Sequence, residues 1–155
     1  RGELRIATEH FASNFIRNIL MNLLQAFPVY SAAPRILVGC APEEFHEIAP
    51  LMLSVLLRRE GYQVEFLGAD LPVEDLAFYA EDASADMVIL SASENHSARP
   101  LLKMQTLLNE LPNQPIFGYG GRYFNDNLRL RKQMQGVFLG TTVDEGIQTV
   151  HNLLD

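Results

Sequence analysis

Cysteine occurs only once in this chain, at Cys40, so no internal disulfide can form, and a reducing, cytoplasmic setting is expected. Basic side chains are also scarce: 12 Lys and Arg stand against 19 Asp and Glu, for a net charge of −7. A nucleic-acid-binding surface needs clustered positive charge, so this chain is not expected to provide one itself. Long apolar runs are missing too. None approaches the roughly 20 residues that a membrane helix needs. The amphipathic first residues lack the continuous apolar core of a signal peptide. The phosphate-cradling patterns G-x-G-x-x-G and G-K-S/T are absent. No nucleophile–base pair or acidic cluster stands out, so an enzyme with its own active site is not expected. There are no internal repeats and no low-complexity tract.

What is present is a chain of 155 residues, 48% of them hydrophobic, which is enough for one packed domain with an appendage. It opens on Arg1 rather than Met, as a piece of a longer protein would. Residues 3–27 read as one helix. Leu4, Ala7, Phe11, Phe15, Ile19 and Leu23 recur near the helical period, and Ile16, Leu20, Leu24 and Phe27 widen the stripe. Pro28 ends the helix. A helix this apolar is expected to bury its face against the rest of the chain or against helices from upstream. The expected units are therefore a cap helix over 1–28 and a domain over 34–155, joined by a short linker.

From Pro34 onward, strands and helices alternate. The predicted strands are Arg35–Gly39, Gln63–Leu67, Met87–Ser91, Pro115–Gly118 and Val137–Leu139. The predicted helices are Ala49–Glu60, Val73–Ala83, Arg99–Leu111, Asn125–Gln133 and Val143–Leu154. Strand cores such as Ile36-Leu37-Val38 and Met87-Val88-Ile89-Leu90 are continuously apolar, as a sheet covered on both faces requires. The fold class is α/β: a flavodoxin-like, Rossmann-type doubly wound sheet of five parallel strands in the order 2-1-3-4-5. Its topological switch lies between strands 1 and 3, where such sheets bind ligands.

Three groups of residues fall on that rim. Glu44 and His46 lie on the loop after strand 1, and a nearby carboxylate can hold one imidazole nitrogen and fix the tautomer. A lone histidine cannot build a zinc site, so most ligands of any metal here would come from a cofactor. Ser91 and Ser93 end strand 3, where small hydroxyl residues leave room for a ligand; Ser97 is a candidate cap for the following helix. Gly120 and Gly121 follow strand 4, where adjacent glycines permit close backbone approach. Thr141 and Thr142 repeat the small-residue theme after strand 5. Each group alone also reads as ordinary loop chemistry: a solvated histidine, a helix cap, a tight turn. Cys40, at a strand end, reads as a small buried residue.

Together these residues resemble the cobalamin (vitamin B12)-binding domain, whose pattern is D-x-H-x-x-G, then S-x-L, then G-G. Here Glu44-Phe45-His46-Glu47-Ile48-Ala49, Ser91-Ala92-Ser93 and Gly120-Gly121 occupy those places, and Leu67-Gly68-Ala69-Asp70-Leu71-Pro72 resembles the family's turn after strand 2. Within the first helix, Glu9-His10 resembles the E-H pair in the cap helix of MerR-type cobalamin-dependent regulators. The resemblance implies that His46 coordinates cobalt from below, displacing the cofactor's own base, with Glu44 bonded to the imidazole. It implies that the nucleotide tail lies beside Ser91, Ser93, Gly120 and Gly121, with Thr141 and Thr142 as further contacts. Glu9 and His10 would face the upper axial group of adenosylcobalamin or methylcobalamin. In light-sensing members, light breaks the cobalt–carbon bond, the cap shifts, oligomers rearrange and DNA is released.

The chain departs from the pattern at Glu44 for Asp, Ala49 for Gly and Ser93 for Leu, and it lacks the tryptophan that accompanies E-H in photoreceptors. The resemblance implies a sensory domain of a transcriptional regulator, a homo-oligomer, with no membrane partner and DNA bound only through a domain outside this chain. Two other readings stay open. One is a corrinoid carrier domain of a methyltransferase or mutase system, which the E-H pair disfavours. The other is a cofactor-free interaction domain that kept the fold, which Ala49 and Ser93 would favour.

Overall fold

The computed structural model describes Arg5–Asp155; residues 3 and 4 of the expected first helix, Leu4 among them, lie outside the described residues. Five strands form one parallel sheet in the order β2-β1-β3-β4-β5. They are β1 (Arg35–Cys40), β2 (Gln63–Gly68), β3 (Met87–Ser91), β4 (Ile116–Gly120) and β5 (Val137–Phe138). The order and the switch between β1 and β3 are those expected from the sequence. Strands β1, β2 and β4 run one or two residues further toward the rim than their sequence suggests, and β5 is shorter.

Side chains alternate across a strand, so Ile36 and Val38 point to one face and Leu37 to the other. On the first face Ile36, Val38, Met87 and Ile89 pack under α2 (Ile48–Arg59) and α8 (Val143–Leu154), through Leu53, Leu57 and Val150. On the second, Leu37, Val88, Leu90 and Phe117 pack under α3 (Val73–Asp82) and α5 (Met104–Asn109), through Leu76, Ala80, Met104 and Leu108.

Two expected helices are broken. The helix expected over Arg99–Leu111 begins earlier, as α4 (Asn95–Ala98), tightens into a 3-10 turn at Arg99–Lys103 and resumes as α5. Pro100 accounts for the break, because it has no backbone N–H to donate to the preceding turn. Ser97 therefore lies inside α4 and caps nothing; its Oγ is buried without a hydrogen-bond partner. The helix expected over Asn125–Gln133 becomes α6 (Arg122–Asp126) and α7 (Leu128–Arg131), interrupted where Asn127 leaves helical geometry.

The first helix, α1 (Ile6–Ala26), stops because Phe27 precedes Pro28 and is driven to extended backbone. It packs across the outside of α2. Leu20, Met21, Leu24 and Phe27 meet Leu51, Val55 and Phe66. This explains why α2 is apolar on two sides. Of the apolar face expected to pack on the rest of the chain or on helices from upstream, the stripe through Phe11, Phe15, Ile19 and Leu23 is left exposed by the described residues, and the Phe11 and Phe15 rings stack on each other 6.5 Å apart.

Replacing Phe117, fully buried beside Tyr119, by Ala opens a cavity in the larger core and is expected to cost about 3–5 kcal/mol of stability. Urea unfolding curves of the two proteins measure it.

Candidate functional site

Strand register levels the rim. Cys40 of β1 pairs with Ser91 of β3, and Ser91 pairs with Gly120 of β4, so three strands end side by side. The loops that leave them open over one place.

At its centre is Glu44. Its side chain is buried, 2% exposed, in the loop between β1 and α2. Carboxylate Oε1 accepts the backbone N–H of His46 at 2.9 Å and pairs with His46 Nδ1 at 2.6 Å. The other oxygen, Oε2, accepts the backbone N–H of Ser93 in the loop after β3. Burial disfavours the charged form, but the N–H groups of His46 and Ser93 and the imidazole outweigh it and hold the carboxyl below its ordinary value. An ionised carboxylate only accepts, so a neutral His46 ring carries its proton on Nδ1 and leaves the Nε2 lone pair free. The ring is otherwise exposed, at 77% of its side-chain area.

The loop is braced from the second strand. Asp70, at φ +54° in the turn after β2, accepts the N–H of Glu43 at 2.7 Å, and its own N–H donates to the Glu44 carbonyl at 3.1 Å. Asp70 was singled out in the sequence only as part of a turn; its brace depends on two strands meeting and has no local signal. Cys40 sits buried beneath the loop. Burial, together with the Glu44 and Glu47 carboxylates, pushes its thiol up to about 12, which leaves it inert as a nucleophile.

Two adjoining cavities meet over the rim. The smaller, about 210 Å³, runs between the ends of β3, β4 and β5 and is lined by Ser91, Gly120, Gly121, Thr141 and Thr142. The larger, about 680 Å³, lies between loop 1 and α1 and is lined by Glu9, His10, His46, Ser91 and Ser93. Ala49, Ser91, Gly121 and Arg122 line both. Nine of the ten residues singled out in the sequence thus face a cavity, and the tenth, Glu44, is buried behind His46.

The glycines differ in kind. At Gly120 nothing lies within 4 Å of where a Cβ would stand, so any side chain there would enter the cleft. Gly121 sits at φ +106°, and a Cβ there would collide with the Ala92 backbone. Thr141 and Thr142 are held by Glu145, which the sequence reading missed. Its Oε2 accepts the Thr141 hydroxyl at 3.0 Å and also the Thr141 N–H, while the Thr142 hydroxyl accepts the Glu145 N–H at 3.2 Å. The spacing Thr142-x-x-Glu145 is a capping-box signal that would have found it. Arg17, Phe45, Met52 and Arg122 also line the larger cavity without having been anticipated; Arg17 stands eight residues after Glu9, on the same helical face.

The departures from the cobalamin-domain pattern fit this arrangement. Glu44 reaches the imidazole as a shorter aspartate would. Ser93 contributes its backbone N–H, which any residue but proline supplies. Ala49 is exposed at the seam, and the two cavities remain open on either side of its methyl. A base-off corrinoid with its tail in the narrow cleft is compatible with these residues: a free imidazole nitrogen at the wide cavity, and glycine where the cleft passes the backbone. Among the described residues, no three of His, Cys, Asp and Glu converge on a metal site of their own, and no helix is long and apolar enough to cross a membrane.

Comparison with known proteins gives the same direction. A family model described as the B12 binding domain matches residues 34–145. The HTH-type transcriptional repressor CarA of Myxococcus xanthus is 38% identical over 88 residues, covering 57% of this chain and 31% of that protein. The HTH-type transcriptional repressor CarH of the same organism is 35% identical over 109 residues, covering 70% of this chain and 36% of that protein. The chain thus spans about a third of the length of these curated relatives. Among solved structures, the Methanosarcina barkeri monomethylamine corrinoid protein superposes with a TM-score of 0.72 at 18% identity, covering 92% of this chain and 66% of that one, a likeness of fold.

Because the folded-state carboxyl of Glu44 lies below its ordinary value of 4.5, it stabilises the fold fully above that pH, and the contribution is lost as pH falls through the lowered value. In the cofactor-free protein, the stability gap between wild type and Glu44→Gln is therefore expected to be widest near neutrality and to shrink below pH 4.5. Denaturant unfolding at a series of pH values measures it. A gap that grew on acidification would contradict the assignment.

Proposed function

This chain belongs to the B12-binding domain family, and on that premise we propose that it holds its cobalamin with the cofactor's base displaced and His46 Nε2 on cobalt, as the sensory part of a transcriptional regulator. The observation that carries the reading is the Glu44–His46 pair. A buried, ionised carboxylate fixes the ring's orientation and tautomer and leaves one nitrogen facing the wide cavity. Ser91, Gly120, Gly121, Thr141 and Thr142, which line the narrow cleft, would hold the displaced nucleotide tail. Glu9 and His10 line the wide cavity from α1 and would face the upper axial group.

When bound, adenosylcobalamin supplies a light-labile cobalt–carbon bond. In this reading the chain's own residues hold, orient and cover the cofactor, and the domain is a receptor rather than an enzyme. The regulator reading is favoured by identity to the two repressors and by a cap helix that brings Glu9 and His10 to the site. DNA would be bound by a part of the protein outside this chain, in keeping with a net charge of −7 here, and loss of the light-labile group would shift the population of two cap packings and of a homo-oligomer. A cytoplasmic location follows from this role. The second reading is a corrinoid carrier, supported by likeness to the dimethylamine corrinoid protein 1 of Methanosarcina acetivorans, 27% identical over 95 residues.

Mixed with hydroxocobalamin and desalted, the protein is expected to stay red with a His-ligated spectrum. His46→Ala is expected to lose that spectrum, and Glu44→Gln to retain cobalamin about 10- to 100-fold more weakly. An unchanged spectrum in His46→Ala would refute the assignment.

Illumination of the adenosylcobalamin-loaded protein is expected to change spectrum and gel-filtration volume together. A change in spectrum with constant volume favours the carrier reading.

A further inference from the structure

Helix α1 is attached in two different ways along its length. Its carboxyl-terminal part is packed on α2 through Leu20, Met21 and Leu24. Its amino-terminal part carries the residues that face the wide cavity, Glu9, His10, Ser13 and Asn14, and among the described residues makes no apolar contact of this kind. Between the two stands Arg17. Its Nε donates to Glu47 Oε2 at 2.9 Å and its Nη2 to Oε1 at 3.4 Å. Among the described residues this is the one hydrogen-bonded tie between α1 and the α/β unit. Glu47 is the residue after His46 and forms the N-cap position of α2.

We propose that Arg17 and Glu47 form a positioning clasp, which sets the amino-terminal half of α1 over the cavity and registers it against the loop that carries His46. The inference rests on the cofactor reading above and adds how the cap is held there. Apolar contacts are non-directional, and those of α1 begin three residues beyond Arg17, so alone they leave its first three turns free to roll and swing. A two-pronged guanidinium–carboxylate pair is directional and fixes both. Glu9 lies about 12 Å up the helix from Arg17, so a swing about the packed end at Leu20–Leu24 moves Glu9 and His10 about two to four times as far as Arg17. The pair is half-buried, with 37% and 20% of the two side chains exposed, so it is shielded yet still open to salt. Gly68, at φ +89°, brings the turn after β2 alongside the carboxylate: a Cβ there would stand in ordinary contact, 3.4 Å from Glu47 Oε1. The cap, the turn after β2 and the His46 loop thus meet at one ion pair.

The test uses the whole chain and the variants Arg17→Gln, Glu47→Gln and the charge-reversed double variant Arg17→Glu with Glu47→Arg. In the cofactor-free protein, amide hydrogen exchange over residues 6–16 is expected to speed up in each single variant, with residues 20–26 unchanged. After loading with hydroxocobalamin, release is expected to become about tenfold faster in the single variants, equivalent to about 1.4 kcal/mol, and to lose its salt dependence. The double variant is expected to restore both. Single variants with wild-type exchange over 6–16, or with exchange raised equally over 20–26, would overturn the clasp. If the protein retained no hydroxocobalamin, the cofactor reading would fail, and the exchange measurement would still decide the clasp.

Discussion

A single buried carboxylate ties the site together. Glu44 lies where the chain leaves β1, and its two oxygens take N–H groups from its own loop and from the loop after β3. Those loops diverge on opposite sides of the topological switch, which is why a crevice exists between them. Burying a charge is costly unless it is hydrogen-bonded, and each donor left unsatisfied by its loss would cost about 1–3 kcal/mol. The carboxylate therefore holds the crevice at a fixed width and aims the imidazole, and the two tasks cannot be separated.

The rest of the fold serves that point. Parallel strands in register bring Cys40, Ser91 and Gly120 to one level. Small residues at those ends leave a cleft instead of a packed edge, and Glu145 draws Thr141 and Thr142 into its wall. Asp70 braces the Glu44 loop from the neighbouring strand. Together they make a narrow slot beside a wide cavity, with a free imidazole nitrogen facing the wide one. This shape suits a flat cofactor with a long tail better than a compact substrate.

Helix α1 is different in character. One of its stripes passes from polar over the cavity to apolar over α2, with Arg17 at the change. The opposite stripe, Phe11, Phe15, Ile19 and Leu23, is exposed. Among the described residues the helix is thus bound to the domain by one end and by one ion pair.

Much of this was legible in the sequence. Continuous apolar runs at Ile36–Val38 and Met87–Leu90 specify strands covered on both faces, and their alternation with helical segments specifies a doubly wound sheet, because strand and helix periods are local properties. Glu44, His46, the paired glycines and the threonines stood out for the same reason: their chemistry is written in short spacings. Helix breaks at Pro100 and Asn127 blurred the boundaries, since a proline or an asparagine weakens a helix without saying where it resumes. The tertiary structure alone decided what joins residues distant in the chain: the Glu44 bond to Ser93, the Asp70 brace, the Arg17–Glu47 pair and the stripe of α1 that packs. Each depends on two elements meeting in space, and a hydrogen bond across 27 to 49 residues leaves no periodicity for a sequence to display.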